Sequence, residues 1–258
     1  HYLMTQTNLK PGDRIAIQLP NLLQFPIAFF GATRAGLVVV NTNPLYTVQE
    51  MAHQFKDSGV KGIVILSSFC DKLEKILPQT EIETVIVTQL GDIQKPMKRQ
   101  FVNFMIKYVR KMVPVYRIEE AVDFQKIVDT PAPKLNYPES GKGHDVALIL
   151  YTGGTTGVAK GAMLSHNNLI TNMMQLRSRC LSVIDDKIEN ILAPLPLYHS
   201  YAFLLHCLTM PYAGNHNILV ANPRDTLALI KLFTQWPISG FVGINTLYLA
   251  LLRHKDFS

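Results

Sequence analysis

Short, nearly unbroken apolar runs alternate along this chain with longer stretches whose apolar residues recur at helical spacing. "DRIAIQLP" predicts a strand. The following "LLQFPIAFFGATRAG" predicts a helix, with Asn21 as its expected cap because an asparagine oxygen can accept an N–H that the first turn leaves free. "LVVVNTN" predicts the next strand, "TVQEMAHQFKDSG" a helix, "KGIVILSS" a strand, "DKLEKILPQ" a helix and "ETVIVTQL" a fourth strand. Strands joined by helices of this length imply right-handed crossovers and a mostly parallel sheet. A stretch rich in proline and glycine, "DTPAPKLNYPESGKG", reads as a linker, after which the alternation resumes. There "HDVALILYT", "NILAPLP", "NHNILVANP" and "ISGFVGI" predict strands, while "HNNLITNMMQL", "AFLLHCLTM", "DTLALIKLFTQW" and "NTLYLALLRH" predict helices. The pattern thus predicts an α/β fold of two linked lobes, residues 1–140 and 141–258, each a mostly parallel sheet flanked by helices. Such a fold does not by itself define a chemistry.

The segment "PMKRQFVNFMIKYVRKMV" breaks the alternation. On a helical wheel Phe101, Phe104, Met105, Tyr108 and Met112 share one face, and Arg99, Asn103, Lys107, Arg110 and Lys111 the other, with Pro114 the expected stop. A helix over residues 97–113 with one apolar and one cationic face suits an anionic membrane surface; the ordinary alternative is a surface helix packed on the core. Charge sharpens this reading. The net charge of +6 over 258 residues is local, because seven basic residues and no acidic one lie between Asp92 and Glu119, and the remainder holds 18 basic against 19 acidic residues. No nucleic-acid partner is expected.

Composition, 48% hydrophobic and 17% charged, is that of a soluble globular protein, and no uninterrupted apolar run approaches the roughly 20 residues of a membrane span. Cys70, Cys180 and Cys207 form no CxxC pair, which argues against a zinc module or disulfide framework and fits a reducing compartment. The chain opens on His1 with no secretory leader pattern and is expected to be a segment of a longer protein.

The strongest chemical signal is "YTGGTTGVAKGAMLSHNN", where four glycines and three threonines surround one lysine just after a predicted strand, the usual place for a ligand loop. Gly157 and Lys160 are separated by two residues, so the spacing is not that of Walker A, and no G-x-G-x-x-G is present. The residue types still suit a polyphosphate. Glycines let backbone N–H groups approach an anion, Thr152, Thr155 and Thr156 add hydroxyls, and Lys160 adds a compact positive charge.

The loop "TGGTTGVAKG" resembles the signature [ST]-[ST]-G-[ST]-[ST]-G-x-P-K-G of the AMP-forming acyl-activating enzymes, with Gly153 at a Ser/Thr position and Ala159 at the proline. Together with "PLPLYHSYAF", "NPLYT", "NPRD" and "GINTLYLALL", it is most similar to bacterial long-chain fatty acid–CoA ligases over essentially the whole chain. The resemblance implies ATP, Mg²⁺ and coenzyme A, with a fatty carboxylate converted to an acyl-adenylate and then to a thioester. By motif position, Tyr151, Thr152, Gly153, Gly154, Thr155, Thr156, Gly157 and Lys160 would bind the nucleotide's phosphates, with Lys160, Thr156 and His199 the catalytic candidates. Thr156 is also the candidate contact to phosphate-bound Mg²⁺. His199, Phe203, Gly243, Asn245 and Thr246 would line the acyl site, while His166 reads as a structural residue at a helix start.

The resemblance further implies a cytoplasmic enzyme, peripheral on the inner face of the bacterial membrane if the basic helix meets lipid, and leaves a homodimer open. The family's Y-G-x-T-E and T-G-D blocks, hinge and carboxyl-terminal lid are not in this sequence, so the segment alone is expected to be inactive. Competing readings are a ligase for a medium-chain or aromatic acid, a non-catalytic lipid-binding module, and a phosphotransferase, which would release ADP instead of AMP.

Overall fold

A computed structural model describes residues 1–133, 142–153, 159–180 and 188–257. They form two compact units, one of residues 1–19 and 23–166, the other of residues 20–22 and 167–258.

The first unit contains α1 (Tyr2–Thr5), β1 (Arg14–Gln18), α2 (Gln24–Arg34), β2 (Val38–Asn41), α3 (Val48–Ser58), β3 (Val60–Leu66), α4 (Cys70–Ile76) and β4 (Thr84–Thr88). These are followed by α5 (Pro96–Phe104), which continues as a π-helical turn over Met105–Val109, then β5 (Val122–Asp123), α6 (Phe124–Asp129), β6 (Val146–Thr152) and β7 (Lys160–Ser165). The strands make one sheet in the order β5-β4-β3-β1-β2-β6-β7, parallel throughout except for the antiparallel pair β6–β7. Ile15, Ile17, Val39, Val40, Ile63 and Ile65 are buried, as expected of parallel strands covered on both faces, where apolar runs need not alternate.

Helix α3 is held with particular care at both ends. Thr47 accepts the Glu50 N–H and the Glu50 carboxylate accepts the Thr47 N–H, a capping box. Gly59 ends the helix at φ 58°, the left-handed conformation that glycine adopts without a Cβ penalty. Met51 and Phe55 bury its apolar face, and Gln54 donates to the Asn41 carbonyl at the end of β2.

The second unit contains α7 (His166–Cys180, from its second residue), β8 (Asn190–Ala193), α8 (Ser200–Ala202), a π-helical segment over Phe203–Thr209, α9 (Met210–Tyr212), β9 (His216–Leu219), α10 (Thr226–Gln235), β10 (Gly240–Phe241) and α11 (Asn245–Leu252). Its three strands are parallel in the order β10-β8-β9. Leu192, Ile218, Leu229, Ile230 and Leu251 form a buried cluster around them.

The fold class is as expected, but several details differ. The division falls after residue 166 instead of 140, because β6 and β7 complete the first sheet and take the strands flanking the Gly-rich loop with them. β7 itself, β5 and α6 went unforeseen, and of the linker, residues 134–141 lie outside the described residues. Asn21 does not cap α2, whose first turn has no side-chain cap. Its amide is buried in the second unit, donating to the carbonyls of Ala193 (3.0 Å) and Leu195 (2.8 Å) and accepting the Leu197 N–H (2.9 Å). The basic helix leaves regular geometry after Val109, and Lys111 takes φ 51°, so its end precedes Pro114.

Candidate functional site

The site begins with strand register. In the β6–β7 pair Thr152 stands opposite Lys160, and Tyr151 opposite Gly161. Side chains of directly opposed residues project from the same face of a sheet, about 5 Å apart at Cβ, so the Thr152 hydroxyl and the Lys160 ammonium share one face. Both residues are exposed, as is Gly153, and β6 delivers them at the carboxyl edge of the parallel sheet, where ligands of open α/β sheets bind. Gly154, Thr155, Thr156 and Gly157 lie outside the described residues.

Tyr151, one residue back, projects to the opposite face. Its ring lies across Gly161, where a Cβ would come within 2.8 Å of Ile149 Cγ2 and 3.0 Å of Tyr151 Cε2. Glycine is therefore required there for close approach. The Tyr151 hydroxyl donates to the Asp57 carboxylate at 2.5 Å. Burial, and then the hydrogen bond and charge of Asp57, push the phenol well above its ordinary value, which keeps it a proton donor at any working pH. On the far side of the loop, His53 donates from Nε2 to the Ala159 carbonyl at 3.3 Å, an assignment fixed because a carbonyl can only accept. His53 and Asp57 are four residues apart on α3 and share a face. Neither was singled out in the sequence; their spacing is visible there, but their partners follow only from the register of β6 and β7.

The acyl-site candidates belong to the second unit. His199 precedes α8, donates its N–H to the Pro196 carbonyl, and sets its ring against Tyr198 with centroids 4.4 Å apart. Partial burial lowers its pKa, favouring the neutral imidazole. Phe203 is 1% exposed, inside this unit. Gly243 donates its N–H to the Tyr248 hydroxyl (3.0 Å), and a Cβ there would meet the Phe241 and Tyr248 rings at 3.3 Å. Asn245 and Thr246 are exposed at the start of α11. His166 opens α7, where its backbone N–H donates to the Asp145 carbonyl.

What these groups suit is a polyanion, met by a hydroxyl and a cation on one sheet face of the first unit. Among the described residues no cluster of three His, Cys, Asp or Glu could hold a metal ion. Cys70 and Cys207 are buried thiols whose pKa burial pushes up to about 12, which leaves them inert as nucleophiles.

Known proteins share this architecture and sequence. Among solved structures, an anthranilate CoA ligase in complex with anthranoyl-AMP matches 96% of this chain and 43% of its own, with a TM-score of 0.75 at 17% identity. A benzoate CoA ligase from Burkholderia xenovorans LB400 matches 96% and 43% at a TM-score of 0.72 and 22% identity. At these identities the likeness is one of fold. Curated relatives are nearer in sequence: the long-chain-fatty-acid–CoA ligases of Escherichia coli O157:H7 and Haemophilus influenzae are each 42% identical, over 99% of this chain. The chain spans 46% of the length of each. The family model for AMP-binding enzymes matches residues 1–258, and the chain belongs to that family.

Proposed function

We propose that this chain works in an ATP-dependent long-chain fatty acid–CoA ligase. The observation that carries the reading is the 40–42% identity, over the whole chain, to relatives that bear that name.

A fatty carboxylate is a poor acylating agent because oxide is a poor leaving group. In the proposed reaction a carboxylate oxygen attacks the α-phosphorus of ATP, forming the acyl-adenylate and expelling pyrophosphate. The coenzyme A thiol then attacks the acyl carbonyl, forming the thioester and releasing AMP. Neither step needs a protein nucleophile; both need positioning and charge neutralisation. Lys160 and Thr152 fit the triphosphate as a cation and a hydroxyl on one face of the sheet edge. Gly153, Gly154, Thr155, Thr156 and Gly157 would extend that cradle, with Tyr151 at its base. Mg²⁺ is usually bound through substrate phosphates and few protein oxygens, and here it would neutralise phosphate charge with Thr156 as the protein contact. In the second unit His199 would meet the carboxylate end of the acid, and Phe203, Gly243, Asn245 and Thr246 would shape the acyl site.

The test supplies the intact protein with ATP, Mg²⁺, coenzyme A and acetate, octanoate, palmitate, oleate or 4-coumarate, and follows AMP and thioester. Palmitate- or oleate-dependent AMP and thioester, reduced about a hundredfold in Lys160→Ala, is the expected result. AMP with only a short or aromatic acid would overturn the substrate class. ADP, or no nucleotide product, would overturn the reaction.

The basic helix supports a second element of this reading, peripheral attachment to an anionic membrane surface on the cytoplasmic side. No helix among the described residues is long and apolar enough to cross a membrane. Instead α5 docks by polar side chains and turns its apolar face outward. Asn103 accepts the Gly91 N–H (2.8 Å) and donates to Asp92 (3.3 Å), and Arg99 pairs with Asp129 at 3.5 Å. Met97, Phe101, Phe104, Tyr108 and Met112 are exposed, from 55% to 87%, beside the exposed Lys107, Arg110 and Lys111. Co-sedimentation with anionic vesicles tests the attachment.

A further inference from the structure

Helix α3 touches the β6–β7 hairpin beside each of its two phosphate-facing residues. Tyr151, bonded to Asp57, immediately precedes Thr152; Ala159, bonded to His53, immediately precedes Lys160. We propose that His53 and Asp57 are positioning residues that hold Thr152 and Lys160 in register for ATP from a single helix face, an inference that rests on the phosphate reading of the loop.

The hairpin needs such a brace. β7 is an edge strand, paired only with β6 within the described sheet, and most of its side chains are exposed or half-buried. A hairpin with an exposed or half-buried strand opens more readily than the buried strands beside it. α3 is suited to supply the brace because it is fixed at each level: the capping box at its start, Met51 and Phe55 in the core, and Gln54 on the Asn41 carbonyl. At its end the Ser58 carbonyl accepts from the Arg14 guanidinium at 2.6 Å. The Tyr151 ring lying over Gly161 transmits the Asp57 contact across to β7, one residue beyond Lys160. A lysine and a threonine already fixed at their backbones lose less freedom when a triphosphate arrives, so bracing raises affinity without adding a contact to the ligand.

The experiment uses the intact protein with His53→Ala, Asp57→Ala, Asp57→Asn, Tyr151→Phe and the double variant Tyr151→Phe/Asp57→Ala. Hydrogen exchange is read on peptides spanning residues 149–163, ATP binding by calorimetry, and KM separately for ATP and palmitate. Asp57→Ala, Tyr151→Phe and His53→Ala should each speed exchange in that segment and weaken ATP binding about tenfold, with KM for palmitate unmoved. Asp57→Asn, which keeps an acceptor for the phenol, should restore both readouts. The double variant should be no worse than Tyr151→Phe, because Asp57 acts on the hairpin through the phenol. Unaltered exchange and ATP affinity in Tyr151→Phe, which deletes a single oxygen and leaves the ring in place, would overturn the proposal, as would additive losses in the double variant. Faster exchange with unaltered ATP binding would overturn it through the phosphate reading, leaving the bracing contacts themselves in place.

Discussion

Asn21 uses three of its hydrogen-bonding positions on one stretch of backbone, the turn from Ala193 to Leu197 that leads to His199. It is 4% exposed, so water cannot replace those bonds. Asn21→Ala would leave the Leu195 carbonyl and the Leu197 N–H unpaired, while the Ala193 carbonyl keeps the Val220 N–H, and at about 1–3 kcal/mol for each unsatisfied buried group the expected loss is about 2 kcal/mol or more. Urea unfolding of the variant measures it; a loss under about 1 kcal/mol would mean the turn holds itself. Asn21→Asp keeps the acceptor but sets a carboxylate against two carbonyl oxygens, and should be at least as damaging. By sequence Asn21 reads as a cap because it stands just ahead of an apolar helical pattern. Nothing local marks its partners, which lie far along the chain. Lys160 and Thr152, by contrast, are candidates from residue type alone, as a lysine and a hydroxyl among glycines. Their register, and the contacts of His53 and Asp57 beside them, required the sheet.

At the scale of elements, the buried strands of the first unit were legible as short unbroken apolar runs, and its amphipathic helices by their helical period. β7 was not, since "KGAMLS" is a partly exposed edge strand whose residues follow no alternation, and its conformation is imposed by β6. The basic helix was legible in outline but not in orientation. A helical wheel separates two faces without saying which one the protein takes. Here Asn103 and Arg99, minor members of the cationic face, decide the matter by docking on Asp92, Gly91 and Asp129. The exposed face then combines large apolar side chains with lysine and arginine, the pairing that binds anionic lipid. Reversing Lys107, Arg110 and Lys111 to Glu should weaken binding to anionic vesicles about a hundredfold or more, given about 1 kcal/mol per basic residue near such a surface, and should change little on neutral ones. Equal co-sedimentation of the variant and the parent protein would remove the helix from the membrane.

At the scale of the whole molecule, pH separates contributions that a melting curve at one pH would merge. Burial lowers the pKa of His206 below its ordinary 6.5, against a smaller opposing effect from Asn217, whose oxygen accepts from Nδ1 at 2.8 Å; His206 Nε2 has no partner among the described residues. The unfolded chain therefore takes up a proton that the folded one resists. Stability from this group is complete above about pH 6.5 and falls as pH drops through that value, with partly buried His199 adding in the same direction. Glu50 behaves differently: the Thr47 N–H and then its hydroxyl hold the carboxyl below its ordinary 4.5, so its contribution is lost only in stronger acid. Thermal unfolding at pH 7.5 and 5.5 should show a drop that shrinks in His206→Leu; a drop of the same size would assign it elsewhere.

Proline and glycine mark a linker between lobes only if the strands on either side belong to different sheets. β6, which follows that linker, pairs with β2. The small excursion at residues 20–22 has a consequence in time. Asn21 and its partners are separated by 172 to 176 residues. At about 5–20 residues per second, a ribosome makes Asn21 about 10–35 seconds before the backbone it will hold. Through that interval a polar side chain destined for burial waits in water between two stretches of the first unit. Completion of the second unit is then a long-range capture, slowed by loop-closure entropy, and not a local condensation of its own strands.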